Sequence, residues 1–393
     1  MATTELDLEP VDESLDPETP AREYTEEFPG ERPSDRIRPR AFRPADAADL
    51  LGAAAGSFCL TFLVYERLTP LSGVLGFFAF WYALFLVTVW FLARERVGKL
   101  HARDRLASVV VATVGIGMLI PLGLIVGYTI MRGFHALRPQ FFTQDQSRVG
   151  PLSPATEGGG SAAIIGSLEM VLIATFLAVP LGISTAVFLS EFRNSFAARP
   201  VRMIVDAMSA IPSIVAGLFI YASFIIAFHQ QQTGVAAALA LAVLMLPTVT
   251  RTSEVVLRLV PGGLREASLA LGGGDWATVK RITLPTARAG LLTAVILGIA
   301  RVIGETAPLI LTSLGNTAFN ADPLKGKQDA LPLFVYRLIR FPQAASIARA
   351  WTGALVLLFL VLVLFIIARI IGGRGPGHIG RLKRARLARK GLA

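Results

Sequence analysis

Apolar residues along the 393-residue chain gather into eight runs, separated by short stretches rich in Arg, Gly, Pro and carboxylates. Each run approaches the roughly 20 residues that an α-helix needs to cross a bilayer. They predict spans at 49–65, 73–92, 106–131, 162–190, 208–228, 235–256, 289–313 and 352–371. Gly52, Gly56 and Ser57 dilute the first run, so the first two read either as spans or as a shallow hairpin. Pro180, Pro212, Pro247 and Pro308 fall inside these runs, where they kink helices or free carbonyls.

Composition supports the same picture: 53% hydrophobic, 17% charged and a mean hydropathy of +0.58 exceed what a soluble core of this size requires. The net charge of +10 is unevenly spread. Residues 1–31 hold eleven carboxylates against one arginine, whereas residues 372–393 hold seven Lys or Arg and no acid. The proline and carboxylate content of the first segment predicts disorder, and nothing in it resembles a cleaved secretory signal. Cys59 has no partner for an intramolecular disulfide and reads as a buried small apolar residue.

Lys and Arg favour the cytoplasmic side. They are richest after the second and sixth runs, and the basic stretch 32–43 and the C-terminal tail lie at the ends. Both termini are therefore expected in the cytoplasm. The chain divides into a cytoplasmic tail (1–48), an extra transmembrane hairpin and charged linker (49–105), a six-span body (106–371) and a basic tail (372–393). The stretch 138–161, Gly- and Pro-rich, predicts an external loop. A second external connection, 315–350, carries Lys325, Lys327, Arg337, Arg340 and Arg349 against Asp322 and Asp329. It reads as a solvated loop, or as a positive surface for an anion or an acidic partner. No fixed-period repeat occurs, no metal-ligating cluster is expected at His229, and no Gly-x4-Gly-Lys-Ser/Thr run exists. The chain is expected to bind no cofactor; ATP and Mg belong on a partner ATPase.

A polar insert, 264–285, separates the sixth and seventh runs. Leu264, Ala267, Ser268 and Leu271 fall at i, i+3, i+4 and i+7, which gives a short helix one docking face. Gly272 offers a left-handed cap, Asp275 an N-cap for a second helix from Trp276, and Pro285, after Leu284, a stop. Glu266-Ala267-Ser268, three residues, Gly272, nine residues, then Ile282-x-Leu284-Pro285 resembles the EAA loop of ABC importer permeases. Ser268 departs from the usual alanine. The resemblance implies an all-α polytopic membrane fold: a type I permease core of six helices, here with a two-helix N-terminal extension, whose loop seats in an ATPase cleft.

Charges within spans are costly and ask for a function. Gly290, Ala294, Gly298, Arg301 and Glu305 step by four, four, three and four, which predicts one helix face open to another helix. Arg301 and Glu305 can form a salt bridge there, or Arg301 can meet an oxyanion through its planar fork. Arg251 and Glu254, near the end of the sixth run, read as a gate pair or as helix capping. Glu169, early in the fourth run, reads as a carboxylate snorkelling to the external interface, with a gate role as the sharper reading.

The stretches Ile211-Pro212-Ser213-Ile214-Val215-Ala216-Gly217-Leu218-Phe219, Leu246-Pro247-Thr248 and Ala300-Arg301-Val302-Ile303-Gly304-Glu305-Thr306-Ala307-Pro308-Leu309 resemble phosphate-specific ABC permeases of PstA type. The resemblance covers about 105–371. It implies a phosphate pathway past Arg301, Glu305 and Thr306. It also implies a second permease of PstC type, two ATPase copies, an extracytoplasmic phosphate-binding protein, and residence in the bacterial inner membrane. A permease for sulfate, molybdate or phosphonate is the nearest alternative. An ion-driven secondary transporter is the alternative from another class.

Overall fold

The computed structural model describes residues 44–69, 73–150 and 152–372. The acidic tail up to residue 43 and the basic tail past 372 lie outside the described residues. Thirteen α-helices are formed among the described residues: α1 Pro44–Phe62, α2 Val74–Val97, α3 Lys99–Gly133, α4 Ser161–Glu191, α5 Ala198–Ala210, α6 Ser213–Ile220 and α7 Gly234–Arg258, then α8 Gly262–Ala270, α9 Asp275–Thr278, α10 Leu284–Val302, α11 Ala307–Thr312, α12 Leu331–Ile339 and α13 Ala344–Gly372. Seven helices are long and apolar enough to cross a membrane, or eight if the bent pair α5 and α6 counts as one span. The chain is an all-α multi-pass membrane protein.

Two compact units divide between Met118 and Leu119, inside α3, and not at the charged linker before residue 106. In the first unit α1 and α2 pack around Ala53 and Val89, with Val109 of α3 completing the cluster. Phe58 meets Phe77 and Trp81 edge to face, and Arg96 pairs with Asp49 at 2.7 Å. Cys59 is exposed on α1 and not buried, because its helix face turns outward, where a span meets an apolar medium.

The second unit is built on α4 packed along α7. Small residues allow close approach: Ala174 and Ala178 of α4 lie against Ala237, Ala238 and Leu241 of α7, all with almost no exposure. Pro180 and Pro247 stay inside their helices. The expected fifth span, 208–228, is broken. Ile211 is extended at ψ 126°, as a residue before proline prefers, and α5 meets the α6 segment at 107°. Beyond α6 the helix continues as a π-turn over Tyr221–Ile226.

The expected seventh span, 289–313, is also displaced. A single helical path runs Asp275–Val302 and then stops. A continuous helix would drive the Pro308 ring into the Gly304 carbonyl. The chain instead turns through Gly304-Glu305-Thr306 and restarts as α11, with Pro308 in its first turn. Gly217 of α6 makes room for that restart: a Cβ there would lie 2.5 Å from the Cα of Pro308. Two of the quoted sequence stretches thus meet at one backbone crossing.

The 315–350 connection is no solvated loop. It contains α12, which buries Leu331, Leu333, Phe334 and Leu338. α13 starts at Ala344, eight residues ahead of the expected span.

Candidate substrate and coupling sites

Along α10 the predicted small-residue face packs on α7. Cβ atoms on Gly290 and Gly298 would lie 2.4 Å and 2.7 Å from Val256 and Val249 side chains, and Ala294 is fully buried. Arg301 continues this face to the end of the helix. Its Nη1 donates to Thr248 Oγ1 of α7 at 2.9 Å, while the side chain remains exposed. Glu305 does not share the face. It lies past the end of α10, where its amide donates to Val302 O at 3.1 Å, so the four-residue step from Arg301 no longer describes a helix. Among the described residues no ion pair joins the two. Thr306 stands next in the turn, its carbonyl accepting from Ile310 N at 3.2 Å. The structure therefore leaves most of the Arg301 fork unoccupied beside a helix break.

Arg251 and Glu254 belong to a larger ion-pair node. Glu254 is 3% exposed and accepts from Arg202 of α5 at 3.2 Å, from Arg251 at 3.1 Å and from Arg258, one turn along α7. Arg251 also pairs with Asp206 of α5. Three guanidinium groups and two carboxylates thus join α5 to α7 at the bend before Pro212. Arg202 further donates to Leu189 O, near the end of α4, at 3.4 Å. The sequence marked Arg251 and Glu254 but carried no sign of Arg202 or Asp206, whose i, i+4 spacing on α5 is ordinary for a surface helix.

The projection 264–285 keeps its first half as predicted. α8 ends at Ala270, and Gly272 takes φ +81°, a left-handed conformation that side chains with a Cβ rarely adopt. Glu266 and Ala267 are exposed, and Leu264, Leu271 and Trp276 expose 44%, 90% and 66% of their surface, a concentration of apolar area on a polar insert. Two details differ. Asp275 makes no capping hydrogen bond, because α9 already begins at that residue and Gly274 holds the cap position. Pro285 stops nothing. A π-turn over Val279–Thr283 precedes it, Leu284 N donates to Val279 O, and Pro285 enters the first turn of α10, where no amide is needed.

Sequence reasoning missed Arg265. Its Nη2 lies 2.9 Å from Glu191 Oε1, at the end of α4, and 2.8 Å from Leu257 O, at the end of α7. Ser268, at the position where alanine was expected, bonds through its hydroxyl to Thr278 Oγ1 at 2.8 Å.

At the other end of α4, Glu169 does not snorkel. The buried Gln328 donates to its carboxylate, and Gln328 Nε2 also reaches Asn320 O at 3.2 Å. Glu169 stands 22 residues before Glu191, about 33 Å along the helix, and so belongs to no group with Arg251 and Glu254. Asp329, 2% exposed, receives Arg337 at 2.8 Å; burial outweighs that cation and pushes its carboxyl up to about 6. Arg349 is 1% exposed and donates to the carbonyls of Gly150, Ser153 and Glu157, each at 3.3 Å. Two of the five cations expected on an external positive surface are therefore spent inside the fold.

Fold and site together define a membrane permease: helices arranged around a break with one exposed guanidinium, and an apolar projection between two of them. Residues 178–374 match the family described as "Binding-protein-dependent transport system inner membrane component". The chain belongs to this family, a transport component and not an enzyme. It is 41% identical over 243 residues to the phosphate transport system permease protein PstA of Mycobacterium leprae, covering 62% of this chain and 80% of that protein. It is 40% identical over 254 residues to PstA 1 of Mycobacterium tuberculosis H37Rv, covering 64% and 82%. PstA of Yersinia pestis is 40% identical over 245 residues, covering 62% and 81%.

Proposed function

We propose that this chain is one of two membrane subunits of an ATP-driven importer of inorganic phosphate. It pairs with a second permease of PstC type, receives phosphate from an extracytoplasmic binding protein, and is driven by two ATPase copies. The observation that carries the reading is Arg301: a guanidinium held in place by a hydroxyl, with no carboxylate partner among the described residues, beside a helix break. Such a fork can grip a tetrahedral oxyanion through two parallel hydrogen bonds. Glu305 and Thr306 flank the passage, the carboxylate limiting how long the anion stays. Relatives named as phosphate transport permeases support the choice of cargo.

Leu264, Glu266, Ala267, Leu271 and Trp276 form the seat of the ATPase, so the projection and both termini face the cytoplasm. Arg251 and Glu254, with Arg202 and Asp206, act as an inner gate whose ion pairs exchange as α5 and α7 move. The test is uptake of radiolabelled phosphate by vesicles holding the whole complex. Uptake should require ATP and resist excess sulfate and molybdate. Equal competition by either anion would overturn the choice of phosphate, and ATP-independent uptake would overturn the importer.

A further inference from the structure

α8 buries none of its residues against the rest of the chain. With no fully buried side chain to anchor it, α8 depends on its few side-chain attachments to direct an applied force. Two side-chain links hold it. Ser268 ties its C-terminal half to Thr278, in the helical path that becomes α10. Arg265 ties its N-terminal half to both Glu191 and Leu257, the closing turns of α4 and α7. The second link is largely shielded from solvent: the side chains of Arg265 and Glu191 are 20% and 13% exposed. Both contacts are made by Nη2 of one planar guanidinium, whose fixed orientation an ammonium does not reproduce.

We propose that Arg265 is the positioning residue through which a push on α8 reaches the α4–α7 body, with Glu191 and the Leu257 carbonyl as its two points of purchase. This rests on the reading of α8 as the ATPase seat. Ser268 delivers the same push separately to the helix that carries Arg301. The two links together divide one input between the closing turns of α4 and α7 and the helical path of α10.

The inference predicts uncoupling as the result of cutting the first link. In proteoliposomes holding the full complex and supplied with binding protein, the quantity to read is ATP hydrolysed per phosphate imported. Arg265→Met should raise that ratio about tenfold, within the range of coupling energies between sites. Glu191→Gln, which keeps an oxygen but removes the charge of the ion pair, should raise it less, and Arg265→Lys should fall between Arg265→Met and wild type. A ratio within about twofold of wild type in both Arg265→Met and Glu191→Gln would overturn the proposal, since a purely structural role slows both rates together. If Arg265→Met fails to assemble, Glu191→Gln alone decides. A wild-type complex that imports no phosphate with ATP would defeat the functional reading and not this link.

Discussion

Glu254 offers the sharpest test of how the bend at Pro212 is held. Its carboxylate is 3% exposed and collects three arginines, whose side chains are 33–44% exposed. Glu254→Gln keeps the shape and one acceptor oxygen but removes the charge. A hydrogen bond to a charged group contributes about 1.5–3 kcal/mol, and the partial exposure of Arg202 reduces this to about 1–2 kcal/mol for the direct tie to α5. Arg251 still reaches Asp206, so α5 keeps one link. Losing the other should raise the local opening equilibrium of α5 about tenfold. Hydrogen–deuterium exchange on the purified protein in nanodiscs reads this directly: amides of Ala198–Ala210 should exchange about tenfold faster, while those of α7 around Leu241 and Met245 stay protected. Unchanged exchange in α5 would refute the reasoning and assign its attachment to the Arg251–Asp206 pair and the packing of Ala198 and Val205.

Other consequences are open to measurement. Arg301→Ala should abolish phosphate uptake while the complex still assembles, and Arg301→Lys should also be impaired because a point charge cannot reproduce the fork; wild-type uptake in either would make the charge dispensable. Gly217→Ala should destabilise the protein by about 1–3 kcal/mol, seen as a lower thermal midpoint, because the new Cβ would sit 2.5 Å from Pro308 Cα and force α6 from α11. Asp329 should make stability fall as pH rises. Its folded pKa of about 6 lies above the usual 3.8, so the folded state holds its proton between these values while the unfolded chain releases it. Between pH 4 and 6 the loss should amount to about 2 kcal/mol, and Asp329→Asn should flatten that slope in thermal unfolding; equal slopes in both proteins would assign the pH dependence elsewhere.

Much of the helical plan could be read from apolar runs, since each span must satisfy its own backbone in lipid. The projection was legible for a different reason: polar spacing, Gly272 and exposed leucines are local signals. What hydropathy concealed were the breaks within continuous apolar sequence. Ile211-Pro212 and Gly304 to Pro308 stay apolar enough to pass for uninterrupted helix, yet proline sterics cut both. Pro285 misled in the opposite direction, because a π-turn can absorb a proline and hydrophobic periodicity does not report it. The remaining omissions were contacts between residues far apart in sequence. Arg265 with Glu191, Glu169 with Gln328, and Arg349 with the 150–157 carbonyls are each ordinary residues until folding brings the partners together. Arg349 in particular looked like surface charge and proved to be a peg for a loop.

The uninterrupted helical path from Asp275 to Val302 has a mechanical meaning. At 1.5 Å per residue it is about 40 Å long, with the projection at one end and Arg301 at the other. Tilted about its middle by roughly 5°, such a rod shifts each end by nearly 2 Å, the difference between a hydrogen bond and none. The π-turn at Val279–Thr283 sits close to the projection, the end that the proposed ATPase would push. There a soft joint costs little leverage, whereas the same joint near Arg301 would slacken the grip that we propose for phosphate.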